Sequence, residues 1–119
     1  MGDRGEKAVV DWYVARGFSL VARNWRCASG EIDVVVRHDQ LLVMCEVKTR
    51  TSDRFGAPEE SVTSAKVRRL RRLAAAFLSE ARSSGLLGEG SAGLDVRFDV
   101  AAVTIVRGDL AIDVIESAF

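Results

Sequence analysis

Apolar residues recur at helical spacing over residues 3–16, where Ala8, Val9, Trp12 and Ala15 form a stripe. Gly17 is placed to close that helix with a left-handed cap. Phe18 to Trp25 reads as a short strand. Gly30 then turns the chain into EIDVVVRH, and LLVMCEVK follows after Asp39-Gln40; both runs are rich in Val, Ile and Leu and predict a β-hairpin. Helical spacing returns over 61–84, with Leu70, Leu73, Ala74, Phe77, Leu78 and Ala81 on one face and Gly85 as its C-cap. The stretch SSGLLGEGSAG predicts a mobile loop. Two last strands, DVRFDVAAVTIV and LAIDVIES, are joined by Arg107-Gly108-Asp109, which reads as a hairpin turn rather than an adhesion signal. The predicted order is α-β-β-β-α-β-β. It contains no repeat and no dividing linker, so residues 1–119 are expected to form a single domain.

Composition adds mostly exclusions. No apolar run is long enough to span a bilayer, and MGDRGEKAVV has acids where a signal peptide needs an apolar stretch, so a cytoplasmic chain without membrane contact is expected. Cys27 and Cys45 are far apart and only one histidine, His38, is present, which argues against zinc and for free thiols. The net charge is zero, but it is unevenly spread. From Lys48 to Arg82 nine basic residues face four acidic ones, while after Ser83 only Arg97 and Arg107 stand against six acids. A basic middle and an acidic end change the picture that the total conveys.

The chemistry gathers on the predicted hairpin. With its turn centred between Asp39 and Gln40, cross-strand partners have numbers summing to 79, so Asp33 faces Glu46 and Glu31 faces Lys48. Alternation then puts Ile32, Val34, Val36, Leu41, Val43, Cys45 and Val47 on one apolar face. The other face carries Glu31, Asp33, Glu46 and Lys48 together at the end away from the turn. Carboxylates opposed in this way lie about 5 Å apart at Cβ and repel unless a cation or a proton joins them. Oxygen ligands of this kind suit Mg²⁺ or Mn²⁺. A surface ion pair explains Glu31 with Lys48 equally well, but it does not explain Asp33 opposite Glu46.

Gly-Glu-Ile-Asp at 30–33, twelve intervening residues and Glu-Val-Lys at 46–48 resemble the PD-(D/E)XK nuclease signature, with Ile32 where that motif has proline. The longer series RGEKAVVDWYVARGF, NWR, GEIDVV, CEVKTR, AKVRRLRRLAAAFL and RFDVAAV resembles the YraN-like family of small bacterial proteins over nearly the whole chain. That family is similar to archaeal Holliday-junction resolvases. The resemblance implies an α/β, restriction-endonuclease-like fold: a central mixed β-sheet flanked by helices. It implies Asp33 and Glu46 as metal ligands, the Val47 carbonyl beside them, Lys48 as catalytic lysine and Mg²⁺ or Mn²⁺ as cofactor. Glu6 matches a first-helix glutamate that approaches the metal in the resolvases, and it equally fits an acid in a helix's first turn.

The function so implied is a metal-dependent nuclease hydrolysing DNA phosphodiesters, on branched or junction DNA in repair or recombination. The two-fold symmetry of a four-way junction adds a homodimer. The alternative is a catalytically inactive nucleic-acid-binding or protein-interaction module on the same fold. Arg50 and Arg54 follow the catalytic strand and Arg69 lies on the basic helix, so all three are candidate phosphate contacts. Lys66 is another, although a lysine on that inward stripe also fits snorkelling at a core edge. Asp99 is expected to be a buried structural acid, and Trp12 and Trp25 to be core.

Overall fold

The computed structural model describes residues 2–50, 63–88 and 93–119. Its elements run α1 (Gly2–Val14), β1 (Ser19–Cys27), β2 (Gly30–His38), β3 (Leu41–Arg50), α2 (Ser64–Ser84), β4 (Asp95–Val106) and β5 (Asp109–Ile115). This is the expected order. The strands form one mixed sheet, β1-β2-β3-β4-β5, in which β3 and β4 pair in parallel and the other neighbours are antiparallel. Parallel neighbours need a crossover, and α2 supplies it. The result is the mixed, helix-flanked α/β sheet of a restriction-endonuclease-like fold.

Local chemistry explains the ends of the elements. Gly17 and Gly85 both adopt positive φ, as helix-terminating glycines do. At the other end of α2, the Thr63 side chain accepts from the Lys66 backbone N–H at 3.1 Å. Arg107 and Gly108 both have positive φ, which is the requirement of a tight two-residue hairpin turn and accounts for the RGD sequence. The β2–β3 register is the one counted from the sequence, from His38↔Leu41 to Val34↔Cys45.

Each face of the sheet carries its own core. On one side α1 buries Val9, Val10 and Tyr13 against Val34, Val36, Val43, Cys45, Ala101 and Val103. On the other α2 buries Leu73, Ala74, Phe77 and Ala81 against Ile32, Val35, Leu42 and Met44. The α2 stripe matches the expectation, but two packing expectations need correction. The buried face of α1 is rotated toward Val10 and Tyr13: Ala15 is exposed and Trp12 sits at the core's edge, with the Arg16 guanidinium 3.6 Å above its ring. Tyr13 reaches the interior because its hydroxyl has a buried acceptor there, Asp99 at 2.6 Å. Ile32, expected beside Val34, lies on the opposite, α2 side.

The second correction has a visible cause. Asn24 in β1 has φ 51 and breaks the alternation there. Arg23 accordingly reaches Glu6 on α1, while Trp25, two residues on, packs edge-to-face with Phe77 of α2. Their cross-strand partners Val34 and Ile32 divide in the same way, with Asp33 between them. Part of the expected mobile loop is also anchored. Leu87 is buried beneath α2, and its carbonyl accepts from Arg37 Nη1 at 2.8 Å.

Candidate metal centre

The β2–β3 ladder stops one pair short of Asp33. Beyond Val34↔Cys45, the Val47 backbone N–H donates to Asp33 Oδ2 at 2.8 Å, and β3 continues with β4 alone as far as Arg50↔Thr104. The Asp33 side chain thus stands where the next ladder bond belongs, and the two strands part around it. The N–H and C=O of one strand residue point to the same side, so the Val47 carbonyl also faces this gap. The gap opens into a cleft of about 300 Å³ whose lining includes Gly30, Glu31, Asp33, Glu46, Arg69 and Phe119.

Three carboxylates converge there. One oxygen each from Glu6, Glu31 and Asp33 lies within 4.8 Å of the others. Glu6 comes from the first turns of α1 and is only 8 % exposed. It lies past the first turn of α1, whose acid is Asp3, and leans toward the sheet. Arginines answer the outer sides of the cluster: Arg23 Nη2 lies 3.4 Å from Glu6 Oε1, and Arg26 Nε 2.8 Å from Glu31 Oε2. No cation faces Asp33 among the ion pairs of the described residues. Its pKa is pushed up to about 6, chiefly by burial and further by Glu31 and Glu6, against the pull of the Val47 N–H.

Glu46 and Lys48 are arranged differently from the sequence expectation. Glu46 is not the like-charge partner of Asp33; it lies on the α2 side, where Lys66 Nζ sits 3.0 Å from Oε2 and 3.2 Å from Oε1. Glu31 does not hold Lys48. Its partner is Arg26, directly across the β1–β2 ladder. Burial holds the Lys48 ammonium below the ordinary lysine range; Glu46 opposes this, and Lys66 and Arg50 reinforce it. The region thus has an acidic side, Glu6, Glu31 and Asp33, and a mixed side, Glu46, Lys48 and Lys66. Asp33 and Glu46 share the cleft without opposing each other across a ladder.

Among the candidate phosphate contacts, Arg69 lines the cleft and is exposed, and Arg50 is half-buried at the end of β3. Arg54 lies outside the described residues. Asp99 is fully buried and structural, as expected: Tyr13, Arg97 and the Ser117 backbone N–H all donate to it. Burial pushes the Cys45 thiol up to about 12, which suits a core position rather than a nucleophile. Sequence reasoning did not place Glu31 in the carboxylate cluster with Glu6 and Asp33. Counting the β1–β2 hairpin as well as β2–β3 would have paired Glu31 with Arg26 rather than with Lys48.

The donor set passes a chemical test for a hard divalent cation. It consists of oxygen alone, it ranges from buried Glu6 to exposed Glu31, and its central carboxylate has its proton affinity raised by burial first and by Glu31 and Glu6 besides. Comparison with known proteins identifies the family. The profile of the uncharacterised protein family UPF0102 matches residues 5–103. Proteins named UPF0102 protein from Mycolicibacterium gilvum and Nocardioides sp. are 48 % and 44 % identical, covering 91 % and 95 % of this chain and 83 % and 86 % of their own lengths. A third, from Moorella thermoacetica, is 41 % identical over 99 % of this chain and 93 % of its own. With β1 to β3, α2, most of α1 and β4, and the acidic cluster inside the matched span, this chain belongs to the UPF0102, or YraN-like, family.

Proposed function

We propose that the protein is a metal-dependent nuclease of the cytoplasm that hydrolyses DNA phosphodiesters, with branched or junction DNA as its substrate in repair or recombination. The observation that carries this reading is the convergence of Glu6, Glu31 and Asp33 where β2 and β3 part, beside Glu46 and Lys48. Asp33, Glu6 and Glu31, with Glu46 and the Val47 carbonyl at the same opening, would hold Mg²⁺ or Mn²⁺. Such an ion neutralises phosphate charge and acidifies water.

The chain's own groups supply the rest. The Val47 N–H fixes the Asp33 carboxylate in the gap. Lys48 presents an ammonium whose affinity for its proton is reduced by burial, suited to orienting the attacking water and meeting charge that develops on the phosphate. Arg50 and Arg69 grip backbone phosphates without reading sequence. Water adds to phosphorus, one ester P–O bond breaks, and the departing oxygen takes a proton to leave a hydroxyl end opposite a phosphomonoester. A homodimer matches the two-fold symmetry of a junction.

The test is incubation of purified protein with branched, flapped and linear DNA in Mg²⁺ or Mn²⁺. Cleavage is expected for wild type and a loss of at least about a hundredfold for Asp33→Ala and Lys48→Ala, with folding intact by circular dichroism. Binding without cleavage, indifferent to both substitutions, would replace the enzyme with a nucleic-acid-binding module.

A further inference from the structure

Lys66 stands at the wrong end of its helix for a lysine with only a structural role. It lies in the first turn of α2, where the helix dipole disfavours positive charge, and no acid shares that turn. Its side chain is nevertheless only 14 % exposed, with Nζ within 3.2 Å of both oxygens of Glu46, itself 30 % exposed. The Phe119 ring lies 5.2 Å from the same ammonium. The segment carrying Phe119 is tied back to β4, because Ser117 donates to Asp99 and the Ala118 N–H to the Phe98 carbonyl. Glu46 and Phe119 both favour a charge that the helix itself opposes.

We propose that Lys66 is a built-in counter-cation for Glu46, holding that carboxylate while no metal is bound and exchanging with the divalent cation. The inference rests on the metal-nuclease reading above. A divalent ion bound through Glu46 would meet, close by, an ammonium that keeps its present place, and the two would repel strongly in a half-buried setting. Exchange relieves that repulsion. It also frees the Lys66 ammonium to meet a phosphate of the DNA strand in the same cleft, so one charge serves both states.

The consequence is unusual for a basic residue beside a metal site: neutralising Lys66 tightens metal binding in the absence of DNA. The experiment titrates Mn²⁺ into the full chain without DNA by calorimetry. Lys66→Met and Lys66→Gln are compared with wild type, Lys66→Arg and Glu46→Gln, all checked for folding by thermal melts. Lys66→Gln keeps a hydrogen-bond donor while removing the charge, so it carries the test if Lys66→Met fails to fold. Both neutral variants are expected to bind Mn²⁺ about tenfold tighter, and Lys66→Arg close to wild type. In the Glu46→Gln background the gain from Lys66→Gln should vanish. If wild type binds Mn²⁺ and the neutral variants bind no tighter, the counter-cation role is wrong while the metal reading stands. If no variant binds Mn²⁺ at all, the metal reading falls and takes this inference with it.

Discussion

Asp33 shows what a single carboxylate experiences when it replaces a rung of a sheet. One hydrogen bond, from Val47, favours its charge; burial, Glu31 and Glu6 oppose it, and the opposition wins. Its pKa rises from 3.8 to about 6, so between those values the native state holds a proton that the unfolded chain releases. By linkage, stability falls as pH rises through that window and levels off above it. In metal-free buffer, Asp33→Asn should therefore be more stable than wild type at neutral pH, by about 1–2 kcal/mol once solvent screening is allowed for. The difference should shrink toward the acid side of the window. Urea unfolding at several pH values checks this, and a variant less stable than wild type at neutral pH defeats the crowding argument. Mn²⁺ should reverse the order, because it stabilises only the chain that binds it. Asp33 was legible as a candidate ligand from its spacing to Glu46 and Lys48. Its true neighbours were not, because the positive φ of Asn24 and the early end of the ladder leave no mark in a period-two pattern.

At the scale of elements, the site depends on how closely α1 lies on the sheet, since Glu6 has no other route to Asp33. Gly5 sets that distance. A Cβ built there would stand 2.5 Å from Thr49 Oγ1 on β3, whereas Thr49 Cβ is 3.7 Å away and Val103 Cγ1 3.8 Å. Gly5→Ala must push the helix or turn a stiff β-branched side chain, and should cost about 1 kcal/mol or more despite alanine's better helix propensity. In a Thr49→Ala background the obstructing hydroxyl is gone. The same Gly5→Ala change should then be neutral or stabilising by up to about 1 kcal/mol. Chemical denaturation of the four proteins gives the double-mutant cycle, and equal costs in both backgrounds would show that α1 does not rest on Thr49. The helices themselves were readable from apolar spacing and their closing glycines. The rotation of α1 was not, because Tyr13 is buried through its bond to Asp99, a partner 86 residues away.

Across the whole molecule the charge is balanced, with 17 basic and 17 acidic residues, so no net field draws DNA in. What remains is local. The cleft sets Glu31, Asp33 and Glu46 beside Arg69, with Lys48 and Lys66 close to Glu46. Its acids repel phosphate until a cation neutralises them, so DNA affinity on the nuclease reading should rise when Mg²⁺ or Mn²⁺ is added. The basic middle of the sequence foretold this only in part. It contains Arg68, Arg69, Arg71 and Arg72, but their spacing does not tell that Arg69 lines the cleft while Arg68 and Arg71 flank a separate shallow surface with Thr63 and Val67. Arg16 offers an internal comparison: exposed just past the far end of α1, it lies ten residues beyond Glu6, the first eight of them about 12 Å of helix. If DNA lies in the cleft, Arg69→Ala should weaken binding to all sequences alike and lower the slope of log K against log salt by about one, with Arg16→Ala leaving the slope unchanged. Fluorescence anisotropy over a salt series, in Mg²⁺ with Asp33 and Glu46 intact, measures both slopes. Equal slopes for wild type and Arg69→Ala would move the DNA path off this cleft and leave the acidic cluster without its substrate.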